Sequence, residues 1–305
     1  MPKTPIKTPE YVFLAGIFLG NVLGWGRVSS FLLGALLVST STTIALKMQS
    51  EMGLDKTRAA RLTKASIVID DLFGFMALAL VYSEIGIAKQ GYSDLAFSAA
   101  VTLFSVIAIF YLGVKVVPKL FEMMEGLFPG SALTIGTAFC LILSYGVVYF
   151  NISPILGAFL AGTILTSSIS YRDVLKSIIP LRNLFAGFFF ISIGLGLDPN
   201  LLVSILPLAL IITIIAIVAK GLPIALFLLK EKVPLRESLQ LAATTGPRGE
   251  VPLIIAQTVV LEGIVESAFL SIATSLVLLT AVISPFLIIA IGRHVYGNGK
   301  MMNRD

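Results

Sequence analysis

Long apolar stretches recur along the whole chain, with only short polar connections between them. Each runs to about 20 residues, which at about 1.5 Å per residue matches a bilayer core of about 30 Å. The stretches do not alternate apolar and polar residues as barrel strands do, so the pattern predicts helices. About ten spans are predicted by this periodicity and length: Tyr11–Leu23, Ser29–Leu46, Ala65–Ile85, Leu95–Val117, Ala132–Phe150, Pro154–Thr166, Leu184–Leu197, Leu201–Leu229, Leu239–Leu261 and Phe269–Ile291. The first and the sixth are short. The longest polar connection runs from Lys47 to Lys64, so no soluble domain is expected.

Three spans depart from uniform apolarity. Ser29–Leu46 carries five consecutive hydroxyls, Ser39, Thr40, Ser41, Thr42 and Thr43, at mid-depth. Leu239–Leu261 carries Thr244-Thr245-Gly246-Pro247-Arg248-Gly249-Glu250. Proline lacks a backbone donor and clashes with the preceding turn, and glycine weakens a helix, so this span is predicted to break there. Backbone groups freed inside a bilayer must face protein or a wet cavity. Two interrupted helices in the two halves of a transporter therefore point to a midplane binding site. The third span, Leu201–Leu229, holds Lys220 about nine residues from its cytoplasmic end, a depth of about 13 Å, too far for complete snorkelling.

The least probable stretch is Lys64–Glu84, which is apolar enough for lipid yet contains Asp70 and Asp71 side by side. One ionisable residue at membrane depth costs at least about 2.5–3.5 kcal/mol. Two adjacent ones cost more, because like charges repel. Stability alone would not select such a pair; binding of cations or protons would.

Composition agrees with a membrane protein. The chain has 305 residues, 57% of them hydrophobic and 13% charged, with a mean hydropathy of +0.97. Soluble domains average about 25% charged residues. The net charge of +5 is read as an excess of cytoplasmic loop cations, not as a nucleic-acid surface. With the N-terminus inside and sides alternating, every loop cation falls inside except Arg27 and Lys89, while Lys115, Lys220 and Arg248 lie within spans. This asymmetry predicts both termini on the cytoplasmic side of a multi-pass protein in the cell membrane. No signal peptide is expected from the polar N-terminal residues. Cys140, the only cysteine, is read as packing with no disulfide role. His294, the only histidine, is read as a solvated residue near the polar C-terminal tail.

Of the 17 acidic residues only Asp70, Asp71 and Glu250 fall well inside a span. Lys220 and Arg248 are the deep cations. The plainer reading makes these ion pairs that fix helix packing, and for Arg248 with Glu250 it stands beside a functional one. It fits the adjacent aspartates poorly, since neighbours on a helix lie about 100° apart and cannot share one simple partner. One aspartate can face a cavity while the other meets a cation such as Lys220. Thr40, Ser41 and Thr42 offer neutral oxygens, and broken-helix ends offer carbonyls or amides. For the hydroxyl run alone, ordinary helix–helix hydrogen bonding is the competing explanation. Hard oxygens with a carboxylate suit Na⁺, Li⁺ or H⁺ and not a transition metal, for which His and Cys are lacking. Asp71 and Asp70 are thus the candidate Na⁺ ligands. No cofactor is expected beyond transported Na⁺ and H⁺.

At these residues the sequence resembles the monovalent cation:proton antiporter-2 family. The resemblance rests on the TSTT segment, the paired aspartates of IVIDD, Phe188–Pro199 (FFFISIGLGLDP), Lys220, and Pro247–Val251 (PRGEV), in series from Phe31 nearly to the C-terminus. Asp-Asp combined with Lys is similar to the electrogenic sodium/proton branch. The resemblance implies an all-α polytopic membrane fold of about ten transmembrane helices, an inverted repeat with two broken, crossed helices. It implies one membrane domain over residues 1–305: 11–85 as a partial first repeat, 95–150 as linking helices and 154–291 as the second repeat. Asp71 would carry cation or proton, Asp70 would exchange a salt bridge with Lys220, Thr40 would lie near the ion, and Glu250 with Arg248 would form an accessory pair near a cytoplasmic funnel. Full-length members have about three further spans before the position of Tyr11, so an N-terminally truncated form is expected, with homodimer contacts among the parts affected.

The expected activity is exchange of Na⁺ or Li⁺ for H⁺ by alternating access, with monovalent cation, proton and lipid bilayer as partners. The alternatives are a K⁺/H⁺ antiporter or potassium-efflux-type relative and a non-transporting fragment. An intramembrane aspartyl protease fits poorly: its aspartates belong on separate helices, and Gly194–Asp198 reads GLGLD. No enzyme activity is expected.

Overall fold

The computed structural model describes residues 8–54, 56–88, 95–128, 130–150, 152–168, 171–195 and 199–293. His294, Lys89 and residues 196–198 of the Phe188–Pro199 segment lie outside them. The described chain is all helical: α1 (Thr8–Val22), α2 (Arg27–Val38), α3 (Thr42–Glu51), α4 (Arg58–Ala88), α5 (Leu95–Leu127), α6 (Ala132–Gly146) with a 3₁₀ turn at Val147–Phe150, α7 (Pro154–Leu165), α8 (Tyr171–Leu195), α9 (Pro199–Lys230), α10 (Leu235–Thr244), α11 (Glu250–Leu261) and α12 (Ala268–Arg293).

The expected count of about ten transmembrane helices is corrected to six. Among the described residues, the helices long and apolar enough to cross a membrane are Arg27–Glu51, Ala100–Leu127, Ala132–Phe150, Arg172–Leu195, Pro199–Lys230 and Ala268–Ile291. The apolar helices Pro9–Val22, Pro154–Leu165 and Glu250–Leu261 are shorter. Twelve residues of α-helix reach only about 18 Å, well short of a hydrocarbon core of about 30 Å. Leu239–Leu261 is not one helix at all; it is divided between α10 and α11, and α10 carries Arg236 and Glu237. Ala65–Ile85 lies within the 31-residue α4, which holds the two aspartates and is not one of the six. The length and apolarity of these six make the chain a multi-pass membrane protein.

The chain divides into two compact units, Met1–Gly74 with Leu197–Asp305, and Phe75–Gly196. In the first, α1 and α2 meet through small residues, which allow backbones to approach closely where lipid gives no hydrophobic driving force. A Cβ on Gly20 would stand 2.6 Å from Ser30 Cα, and one on Gly34 2.7 Å from the Phe13 carbonyl oxygen. Phe13 is then gripped edge-on by Phe31, with ring centroids 4.8 Å apart, and by Phe73 at 5.2 Å. A second cluster joins the start of α4 to α9 and α10 through Ala59, Ala60, Ile224, Leu228 and Leu241. In the second unit, Phe121 of α5, Ala132 of α6, Leu165 of α7 and Val174 of α8 form a buried core.

Two departures from helix lie in the first unit. After Val38 the backbone turns extended at Ser39 (φ −60°, ψ 141°) and stays so at Ser41 (φ −69°, ψ 100°) before α3 begins. Short hydroxyl side chains compete with the helix for backbone partners, and Ser41 uses its own to cap α3, accepting from the Ile44 N–H at 3.4 Å. The second departure runs from Thr245 to Gly249, around the donorless Pro247. The breaks touch: the Ser41 N–H donates to the Pro247 carbonyl at 2.8 Å, and Thr40 Oγ1 donates to the Thr245 carbonyl at 3.4 Å. A Cβ on Gly249 would stand 3.0 Å from Ser41 Cβ, so glycine permits this approach. Each break thereby satisfies part of the other's backbone, which a bilayer interior demands.

Candidate functional site

The site is built within the first unit from α4, α9 and the two breaks. Asp70 and Asp71 follow each other on α4, and their offset of about 100° sends them to different partners. Asp70 is wholly buried and its Oδ2 lies 2.7 Å from Nζ of Lys220, which is equally buried on α9. Lys220 Nζ also donates to the Val38 carbonyl. Val38 is the last residue of α2, whose unpaired carbonyls carry the negative end of the helix dipole. The lysine is therefore held between a carboxylate and a helix C-terminus, two groups that both favour a cation.

Asp71 is only partly buried. Thr42, the first residue of α3, donates its hydroxyl to Asp71 Oδ2 at 3.4 Å, while Oδ1 has no hydrogen-bond partner. The hydroxyls of the first break thus divide their tasks. Thr42 reaches Asp71, Thr40 reaches the second break, Ser41 caps α3, and the wholly buried Ser39 has an Oγ without a partner. Among the described residues no three of His, Cys, Asp and Glu gather as a metal cluster. A cation near Asp71 would meet carboxylate and hydroxyl oxygens, a hard donor set suited to an alkali ion.

Arg248 and Glu250 are not brought together. Arg248 is wholly buried and hydrogen-bonds backbone: Nη1 to the carbonyls of Thr245 at 3.0 Å and Gly246 at 3.1 Å, Nη2 to that of Ala216 at 3.0 Å. Its own N–H donates to Thr280 Oγ1 at 2.9 Å. Thr245 and Gly246 directly follow the last residue of α10, and Ala216 belongs to α9, so the guanidinium holds the start of the second break and ties it to α9. Glu250 is exposed at the first residue of α11, where a carboxylate complements the helix dipole.

Sequence reasoning missed the Val38 and Ala216 carbonyls, because every residue has a carbonyl and only a helix break or a neighbouring cation gives one a special role. It also passed over Gln49 of α3, wholly buried, whose Nε2 donates to Thr244 Oγ1 of α10 at 3.1 Å. The available signal was weak: an uncharged amide between Met48 and Ser50, four residues after the buried Ala45.

Curated relatives align with most of this chain. YbaL of Escherichia coli (strain K12) is 30% identical over 254 residues, 80% of this chain and 45% of its own length. A Na⁺/H⁺ antiporter of Enterococcus hirae is 26% identical over 306 residues, 97% of this chain and 80% of its own. The Na⁺/H⁺-K⁺ antiporter GerN of Bacillus cereus is 27% identical over 278 residues, 90% and 70%. The chain therefore spans less than half of YbaL and most of the other two. The transmembrane family described as sodium/hydrogen exchanger matches residues 11–292, and the chain belongs to that family.

Proposed function

We propose that this protein exchanges a monovalent cation, Na⁺ or Li⁺, for protons across the membrane by alternating access. The observation that carries the reading is the buried Lys220–Asp70 pair at 2.7 Å beside the more accessible Asp71. In this reading Asp71 is a single seat that holds either the cation or a proton. Coordination of the cation draws on the Thr42 hydroxyl, already against Asp71, and on Thr40 and Ser41 at the break. Asp70 holds Lys220 while the seat is protonated and is released from it as the cation arrives, so that the second carboxylate offsets the incoming charge. Transfer of the lysine's proton as well as that of Asp71 makes the exchange electrogenic. Arg248 is assigned to holding the second break, and Glu250, exposed at the start of α11, to the approach of cations.

Support for exchange of cation against proton comes from family membership and from the names of the relatives. The choice of Na⁺ or Li⁺ rests on the hard-oxygen set alone. A second reading, K⁺ for H⁺, is favoured by the name of GerN, which includes K⁺. Everted membrane vesicles with a pH-sensitive dye separate the two. Na⁺ and Li⁺ are expected to dissipate a preformed proton gradient, with K⁺ at the same concentration ineffective; dissipation by K⁺ alone would establish the second reading. Electrogenicity is tested by clamping the membrane potential with valinomycin, which is expected to change the exchange rate.

A further inference from the structure

Gln49 sits where an apolar residue would be the stable choice. Its neighbours Ala45 and Met48 are buried on the same helix, and Met48 packs with Ala243 of α10 and Ile288 of α12. The amide is wholly buried, yet it is only half satisfied: Nε2 donates to Thr244 Oγ1, and Oε1 has no partner. Burying an unpaired amide oxygen is unfavourable, and more so in a protein surrounded by lipid. Packing does not account for this residue.

Its contacts give it a place in the site. Three hydrogen bonds join the first break and α3 to the second break and the end of α10 before it: Ser41 N–H to the Pro247 carbonyl, Thr40 Oγ1 to the Thr245 carbonyl, and Gln49 Nε2 to Thr244 Oγ1. The first two lie at the start of α3. The third lies seven residues beyond Thr42, two helical turns or about 10 Å further along. Seven residues return a helix to within about 20° of the same face, so Gln49 and Thr42 share one side of α3. Thr244 is itself fixed, donating to the Leu241 carbonyl at 2.7 Å. The first two bonds hold only the N-terminal end of α3; further along, the apolar packing of Met48 on Ala243 and Ile288 holds the helix in place but has no directional bond to fix its rotation. The third bond fixes the rotation of that shared face about the helix axis, and with it the direction of the Thr42 hydroxyl toward Asp71.

We propose that Gln49 is a positioning residue for cation exchange: through its bond to Thr244 it sets the rotation of α3 about its axis and so holds the Thr42 hydroxyl against Asp71. The inference rests on Asp71 being the cation seat, and it adds a determinant of affinity that touches neither carboxylate. Loss of the amide lets Thr42 swing away, which weakens cation binding while the carboxylate chemistry and the fold remain.

The test uses the full chain in proteoliposomes, with Na⁺ and in parallel K⁺ as the probe cations, and compares Gln49→Leu, Thr244→Val, both together, and Thr244→Ser. For whichever cation the wild type exchanges, Gln49→Leu and Thr244→Val are expected to raise the half-saturating concentration about fivefold or more. The maximal rate and melting temperature are expected to stay near wild type, since leucine fills the space without an unpaired amide. The double variant should be no worse than either single one, the signature of a shared bond, and Thr244→Ser, which keeps the hydroxyl, should behave as wild type. A half-saturating concentration within twofold of wild type overturns the proposal, as does additive loss in the double variant or a fall in rate and melting temperature in step with affinity. Asp71→Asn is run beside these. If it exchanges normally, the assignment of the seat has failed; if it is inactive while Gln49→Leu keeps wild-type affinity, only the role of Gln49 has failed.

Discussion

At the scale of residues, the centre of the protein is a charge arrangement that apolar surroundings make expensive and that geometry partly compensates. Lys220 has two partners, Asp70 and the Val38 carbonyl, and all the charged atoms are out of reach of water. Removing one member of a buried pair leaves the other uncompensated, at about 3–5 kcal/mol, whereas replacing both by apolar residues is often neutral. Lys220→Ala is therefore expected to lower the melting temperature in detergent sharply, and Asp70→Leu with Lys220→Met to recover most of the loss without restoring exchange. The aspartates and Lys220 were legible in the sequence because a charge inside an apolar run has no bland explanation. The partners of Arg248 were not. Glu250 stands two residues away and invites pairing on the page, but a wholly buried guanidinium needs several acceptors, and the broken end of α10 supplies carbonyls.

At the scale of elements, the candidate site is framed by two interruptions that touch. The second was readable from Gly246-Pro247 and Gly249, residues that cannot sustain a helix in series. That the first break would meet it was not readable, because contact between segments some two hundred residues apart is a property of packing. Glycine at 249 is needed for that contact, since a Cβ would stand 3.0 Å from Ser41 Cβ. Gly249→Val is expected to slow exchange at least tenfold by forcing the breaks apart, with an overpacking cost of about 1–3 kcal/mol. Gly162, inside α7 with open space where a Cβ would go, is the matched control. Gly162→Ala is expected to leave exchange unchanged and to hold or slightly raise the melting temperature, because alanine is the better helix former by about 0.5–1 kcal/mol. Rates in proteoliposomes and thermal unfolding check both.

At the scale of the whole molecule, hydropathy identified a polytopic helical membrane protein and overcounted its long helices. A run of apolar residues does not reveal where a helix starts and stops. Pro154–Leu165 is as apolar as a true span but has only 12 residues, and Glu250–Leu261 is one arm of an interrupted segment. Sidedness rests on the loop cations. Arg27 opens the Arg27–Glu51 span and Lys56 lies just beyond its other end, so a cysteine placed at each, in a chain whose native cysteine is changed by Cys140→Ser, should react with a membrane-impermeant maleimide from opposite sides. Reaction at position 56 from the cytoplasmic side and at position 27 from outside is the expected result. The central claim, that one carboxylate is the shared seat of cation and proton, is tested most directly by adding Na⁺ to the purified protein in weakly buffered solution and following the pH. The account predicts that Na⁺ expels protons from the wild-type chain and none from Asp71→Asn; equal proton release from both would contradict it.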